Sequence, residues 1–546
     1  MTAVESDPAS ALARRPPVVW LALSLAPAAL MYSSVAQFPY LRADDTFIIR
    51  TNWFSQTYDA LQEVNLWFVH IIVAKLLDMG RPLFWLSVNA TAYLFEEYGL
   101  QSFAYIRGIG VGLLGVVGYL LLRHLQAWGY RTVTATCLMA LILALPGFQI
   151  IIGNGVWLMP GVLLAMAAAG LMMRVDARER RRSAGYAGVM LLLIASLAVY
   201  QAVAFLFVAV TAAALASPAW EERRDDVVRY VLRALVLMTV ATLVYYALWR
   251  LGVRYIVPGV YSIEGSGYAP GMVLNDLVAN VQLFVERRIP QVLNLWYAPH
   301  ISRPLAQWVG AGLVLAWAAL LATGGERRRD MALKLLLYAT LFAASESCMV
   351  VADYYRFFAS KFTTSVAQSV VFVFFLVDTA RQLRQLIGAR VRVPPVGYQA
   401  ALLALTLVCC VKAQTQTWSL IVMPSSLETR FVGTHVLEYM QRRGRIDEVE
   451  IIGETRPILV EGSVVDAVHP ESVGEFMFRN FGSIDYTTML VRNVMLDITG
   501  AEPTRVIARI GKGDSDFIYP GRSLAPDSSK YRLVIDIKQM SVHWRP

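Results

Sequence analysis

Apolar residues run through this chain in blocks of about twenty, separated by short arginine-rich stretches. That spacing predicts membrane-spanning helices, since a helix needs about 20 apolar residues to cross ~30 Å of hydrocarbon. The first block covers about 17–36 and starts behind Arg14 and Arg15, so its start is expected in the cytoplasm and residue 37 onward outside. A second covers about 103–122 and ends at Arg123, His124 and Arg131, back inside. Blocks at about 132–150 and 155–173 form a hairpin whose outer tip, "IIGNGVW", lacks Lys and Arg and whose inner end is "RVDARERRRS". Further blocks lie at about 230–249, 305–323, 332–351, 364–380 and 396–416.

The apolar run from Ser183 to Ser217 is too long for one crossing, because a single helix of that length would reach roughly 50 Å at 1.5 Å per residue. Basic clusters flank both ends, Arg180 to Arg182 before it and Arg223 and Arg224 after it, so both ends belong on the same side. The run is therefore expected to fold back on itself at "VYQAV", with Tyr200 and Gln201 at the outer surface. The count comes to about eleven spans, N-terminus inside and C-terminus outside.

This pattern leaves a cytoplasmic tail, 1–16, and two long outer loops, about 37–102 and 250–304. The first loop holds "EVNLWFVHIIVAKLLDMG" and "LFWLSVNATAYLFEEYG", read as amphipathic helices lying on the outer surface. A pair of extra spans there is the alternative, and a pair leaves the downstream sidedness unchanged. From about 420 to 546 the chain becomes charged: "ETRFVGTHVLEYMQRRG" reads as a helix, and "VEIIGE", "TRVIARIG" and "YRLVIDIKQMSVHW" read as strands. The fold class expected is an all-α polytopic membrane protein, about 17–416, with a small α+β domain on the outer side.

Composition agrees: 57% of residues are hydrophobic and only 16% charged, too apolar for a soluble chain of 546 residues. The net charge of +9 reflects the arginines between the blocks and reads as topology, with no nucleic-acid partner implied. No cleavage site clearly follows the first block, so it is read as a retained anchor. Cys137, Cys348, Cys409 and Cys410 all fall in apolar runs without metal-ligand spacing and read as small buried residues. No phosphate-binding Gly-rich loop is present, and "RGIGVGLLG" sits within a span, where small residues serve helix contact.

The residues with chemical potential gather on the outer side. "YLRADDTFIIR" places Asp44 and Asp45 between Arg42 and Arg50 where the first span ends. The same loop carries Asp78 and Arg81 in "DMGRPLFWL"; the second carries His300 and Arg303 in "YAPHISRPL"; a short third carries Asp353, Tyr355, Arg356 and Lys361 in "ADYYRFFASKF". Cations on the outer face run against the positive-inside tendency, so each asks for a partner, and a phosphate at headgroup level would supply it. A carboxylate base beside phosphate-holding cations suits transfer of a sugar from a lipid phosphate. Asp44 or Asp45 fits the base, and Arg81, Arg303, Arg356 and Lys361 fit the phosphate clamp.

Taken together, "ADD" at the start of the first outer loop, "GRPL" later in it, "YQ" in "SLAVYQAV" and the small outer tail resemble the glucosyltransferase-II family of O-antigen-modifying enzymes, in the GT-C class of integral-membrane glycosyltransferases. The resemblance implies a bacterial inner-membrane enzyme with a periplasmic C-terminal domain. It implies a polyprenyl-phosphate sugar donor, glucose being the expected sugar, and a lipid-linked glycan acceptor such as the O-antigen of lipopolysaccharide. In that class an acidic residue of the first outer loop is the base, which falls here on Asp44 or Asp45; some members use a divalent metal and others none. Arg42, Arg50, Tyr200, Gln201, His300 and Tyr355 are further pocket candidates. A transporter or flippase of lipid-linked sugars is the alternative, and would place ionisable groups near the midplane of broken helices. An assembly protein using its tail as a binding module is a third reading. Phe517, Tyr519 and Trp544 are candidates for stacking on sugars.

Overall fold

The computed structural model describes residues 17–40, 81–87, 100–153, 156–176, 182–256, 277–295, 303–323, 328–350, 362–388, 395–453, 484–510, 513–518 and 528–536, with 85, 294 and 502 excepted. The architecture is mostly helical, and the described residues include six helices long and apolar enough to cross a membrane, or up to seven if one bent pair counts as a span. That is compatible with a polytopic membrane protein.

Helix α1 (Pro17–Gln37) packs along α2 (Leu100–Ala127). The glycines of "RGIGVGLLG" and its continuation explain the fit: a Cβ at Gly115 would stand 2.9 Å from Leu25 Cγ, and one at Gly118 would stand 3.2 Å from Ser24 Cβ. Small residues here let backbones approach, as expected of helix contacts in lipid.

The block at 132–150 forms two helices, α3 (Thr132–Leu143) and α4 (Pro146–Gly153), bent by 61°. Pro146 is the reason, since its ring cannot donate and clashes with the preceding turn. The carbonyls freed at the break are satisfied internally, as they must be away from water. Tyr32 Oη donates to Leu143 O at 2.6 Å, and Gln149 Nε2 donates to Ala144 O at 2.9 Å.

Next come α5 (Met159–Asp176) and α6 (Arg182–Val199). Helix α6 stops at Tyr200, whose extended backbone (φ −160°, ψ 117°) interrupts the run where the fold-back was expected. The shorter apolar helix α7 (Gln201–Leu215) then returns. Contacts fix the reversal. Ser196 Oγ bonds Gly161 O at 2.7 Å beside the turn, whereas Ala213 O takes a hydrogen bond from Tyr130, at the far end of α2, at 2.9 Å. These contacts define two ends of the bundle, called here the Tyr200 end and the Trp220 end.

Helix α8 (Arg224–Ile256) exposes apolar side chains, Val236 at 61% and Leu243 at 62% among them, a face that suits lipid better than water. At the Tyr200 end lie α9 (Leu277–Leu283), a π-helical turn (Phe284–Arg288) and α10 (Ile289–Leu293). Helices α11 (Arg303–Thr323), α12 (Arg328–Ala344) and α13 (Phe362–Gly388) follow. The block at 332–351 is shorter than its apolar length suggested: α12 ends at Ala344, and a turn at Ser345 and Glu346 leads into the one-turn helix Ser347–Val350.

Helix α14 (Pro395–Thr417) continues through a π turn (Trp418–Val422) into α15 (Met423–Arg443), which Gly444 terminates in the left-handed region (φ +70°). Beyond it, β1 (Glu448–Gly453), α16 (Ile484–Thr499), β2 (Arg505–Ile510), β3 (Gly513–Ile518) and β4 (Arg532–Asp536) form a four-stranded sheet of order β3-β2-β1-β4. Strand β1 is parallel to β2 and β4, and β3 is antiparallel to β2. One face (Val449, Ile451, Val506, Leu533, Ile535) buries against Val432 and Val436 of α15 and Leu490 and Val494 of α16, and Phe103 of α2 joins that core. The other face carries a charge ladder, Arg532 to Glu448 at 2.7 Å and Arg509 to Glu450 at 3.0 Å. Strands lie in each of the three expected runs, the last of them described only as far as Asp536; β3 and α16 are additional.

Candidate functional site

Two motifs far apart in sequence meet at the Tyr200 end. Arg81, from "GRPL", donates through Nε to Gln201 Oε1 at 3.3 Å, and its guanidinium lies 4.3 Å from the centre of the Tyr200 ring. Pro82 follows Arg81 and opens a short helical stretch, where Ser87 Oγ bonds Phe84 O at 2.7 Å and Trp157 O at 3.3 Å. The "GRPL" segment is thereby pinned to the turn before α5. Gln201 sits at the first turn of α7 because Tyr200 breaks the helix there, and the Tyr245 hydroxyl of α8 also hydrogen-bonds its side chain.

Beside α7, a buried polar network joins the helices of this end. Arg288 is fully buried; its Nε meets Glu346 Oε1 at 2.8 Å, Nη1 meets Gln291 Oε1 at 3.0 Å and Nη2 meets Thr364 Oγ1 at 2.6 Å. Gln368 Nε2 donates to the second carboxylate oxygen of Glu346. Asn280 Nδ2 bonds Val350 O at 2.7 Å, tying α9 to the helix after Glu346. The π turn ends on Arg288, and such turns commonly mark functional segments. Helix α7 packs against both α13 and the Ser347–Val350 helix, so the network adjoins the helix that carries Gln201.

The opposite end is built differently. A cleft of about 610 Å³ is lined by Trp220, Glu221, Arg224, Asp330 and Lys334 among others, with cations matched to carboxylates. Arg224 pairs with Asp330, Arg381 reaches Glu221 at 2.6 Å, and buried Lys334 meets Asp378 at 2.7 Å. Arg233 bonds Asp176 at 2.8 Å.

Of the sequence-derived candidates, Arg81, Tyr200 and Gln201 come together. Arg303 opens α11, with its backbone alone described. Arg42, Asp44, Asp45, Arg50, His300, Tyr355, Arg356 and Lys361 lie outside the described residues, as do Asp78, Asp353, Tyr519 and Trp544. Phe517 lies in β3. Among the described residues no group of three His, Cys, Asp or Glu side chains could hold a metal ion. Cys137, Cys409 and Cys410 are free and buried. Sequence reasoning missed Tyr245, Arg288, Gln291, Thr364 and Gln368. The signal at hand was Glu346, a carboxylate inside an apolar block, which calls for a buried cation nearby.

No model of a known protein family matches the chain, and no curated protein matches it.

Proposed function

We propose that this chain is a membrane glycosyltransferase that moves a sugar from a polyprenyl-phosphate donor to a lipid-linked glycan at the Tyr200 end of the bundle. The observation that carries the reading is the meeting of Arg81 with Tyr200 and Gln201. A planar cation is held at one membrane-facing end by groups from two distant segments, in the chain that also supplies Asp44 and Asp45 to that side.

In this reading the chain crosses the membrane eleven times, through α1, α2, α3 with α4, α5, α6, α7, α8, α11, α12, α13 and α14. Arginines crowd the Trp220 end (Arg174, Arg223, Arg224, Arg229, Arg328, Arg381), which supports its cytoplasmic placement. The Tyr200 end and the sheet then face the periplasm of a bacterial inner membrane. The acceptor hydroxyl attacks the anomeric carbon as its proton passes to Asp44 or Asp45. The bond from that carbon to the phosphate oxygen breaks, and polyprenyl phosphate leaves with one more negative charge. Arg81, with Arg303, Arg356 and Lys361, stabilises that charge as it develops. Inversion at the anomeric carbon is the expected stereochemistry.

The bend between α3 and α4 is the feature a transporter reading would use. Its freed carbonyls are taken by Tyr32 and Gln149, which supports a structural break over an ion site.

The test is transfer by purified protein given labelled polyprenyl-phosphate glucose and a lipid-linked glycan. Replacement of the general base, Asp44→Asn or Asp45→Asn, is expected to slow transfer at least ~10²-fold in one of the two variants, with donor binding intact. Wild-type rates in both variants would remove the proposed base. An inactive wild type with every donor tried would favour the transporter.

A further inference from the structure

The cleft of about 610 Å³ at the Trp220 end lies between the first turns of α8 and α12, which the ion pair of Arg224 with Asp330 joins. Buried Trp220, Met331 and Lys334 line it, and the Lys334 ammonium stands 5.1 Å from the centre of the Trp220 ring. Four cations and five carboxylates contribute to its lining, so it is close to neutral and lacks the positive surplus that an anionic headgroup would favour.

Part of this charge is committed within the protein: Arg224 to Asp330, Lys334 to Asp378 and Glu221 to Arg381. Glu222 and Arg223 are exposed and form no salt bridge among the described residues. Arg229 and Asp226 meet only at 3.9 Å, with their side chains 67% and 65% exposed, and such a surface pair holds its members weakly. The cleft therefore offers two guanidinium groups and two carboxylates side by side to a ligand that carries both signs of charge.

The same face of α8 continues as apolar surface. Leu232, Val236, Val240 and Leu243 follow Arg229 at steps of three or four residues, and all four are exposed. At 1.5 Å per residue the stripe from Leu232 to Leu243 runs about 16 Å, close to the ~15 Å of one leaflet, half the hydrocarbon thickness. A tryptophan beside the charged end suits the interface between headgroups and acyl chains.

We propose that the cleft binds the headgroup of a zwitterionic phospholipid of the phosphoethanolamine type, with its acyl chains lying along the Leu232–Leu243 stripe. Arg223 and Arg229 take the phosphate, whose oxygens accept charge-assisted hydrogen bonds from guanidinium groups. Glu222 and Asp226 take the primary ammonium, which has three N–H donors, whereas a quaternary ammonium of the choline type has none. The site does not depend on sugar transfer at the Tyr200 end.

The experiment is native mass spectrometry of the purified full chain in a neutral detergent, titrated with dioleoyl phosphatidylethanolamine, phosphatidylcholine or phosphatidylglycerol. Wild type is expected to hold one phosphatidylethanolamine at least ~10-fold more tightly than either other lipid. Arg223→Gln with Arg229→Gln should remove that preference, and Arg123→Gln, an exposed arginine at the end of α2, should leave it intact. Glu222→Gln with Asp226→Asn should weaken phosphatidylethanolamine and strengthen phosphatidylglycerol, because the lining then carries a positive surplus. Should one double variant fail to fold, the other decides. Equal affinity of wild type for the three lipids, tighter binding of phosphatidylglycerol, or a preference that survives both double variants overturns the proposal. Soluble glycerophosphoethanolamine bound as tightly as the lipid would also overturn it, by assigning the cleft to a free solute.

Discussion

The pair formed by Arg288 and Glu346 shows what a single residue can hold together at the Tyr200 end. Both side chains are buried, and three further hydrogen bonds reach them: Arg288 donates to Gln291 and Thr364, and Gln368 donates to Glu346. Removing one member of such a pair leaves an uncompensated charge in a low dielectric, which costs more than the pair itself contributes. Glu346→Ala is therefore expected to destabilise the protein by about 3–5 kcal/mol in thermal unfolding of the detergent-solubilised protein. Joint replacement by apolar residues, Arg288→Met with Glu346→Leu, should lose markedly less; equal losses in the two variants would mean that the buried charge is not what matters. At this scale the sequence was partly legible. Arg81, Tyr200 and Gln201, which the structure brings together, could be picked out because polar residues beside apolar blocks are conspicuous. Arg288 could not, since "VERRIP" resembles any surface stretch until tertiary packing buries it.

Helices meet here by two devices, small residues and breaks with satisfied carbonyls. At Gly115 an added Cβ would approach Leu25, including its backbone at 3.3 Å, so α1 cannot yield without shifting as a unit. Gly115→Leu is expected to cost about 1–3 kcal/mol by overpacking. Gly112→Leu, one turn earlier with nothing within 4 Å of its added Cβ, should stay within about 0.5 kcal/mol of wild type in the same unfolding assay. The turn at Tyr200 was readable from length and from the arginines at both ends of the run. The break at Pro146 was not taken up in reading 132–150 as one block, although proline inside an apolar helix is its ordinary cause. Strand β3, "GDSDFI", escaped because it lacks apolar alternation and pairs only as the return of β2. The polar helix α16 lay between strand signals and gave no block of its own.

At the scale of the whole molecule, the two ends of the bundle differ in kind. The Trp220 end carries matched charges, Arg224 with Asp330 and Arg381 with Glu221, beside a cleft lined by Arg224, Asp330 and Glu221 among others. The Tyr200 end joins the segment at Arg81, the helix break at Gln201 and the buried Arg288 network. The C-terminal sheet connects to that same end through the continuous helix α14–α15 and through Phe103. Polar groups gathered from distant segments at one end are what the proposed transfer from a lipid-linked donor would use. The most direct test of that claim is a double-mutant cycle in the sugar-transfer assay, with Arg81→Gln, Gln201→Leu and the two combined. If Arg81 and Gln201 form one donor-holding unit, each single variant loses at least 10-fold in kcat/KM and the double variant loses little more than the worse single one. Wild-type kcat/KM in both single variants would contradict the assignment of this end as the site of sugar transfer.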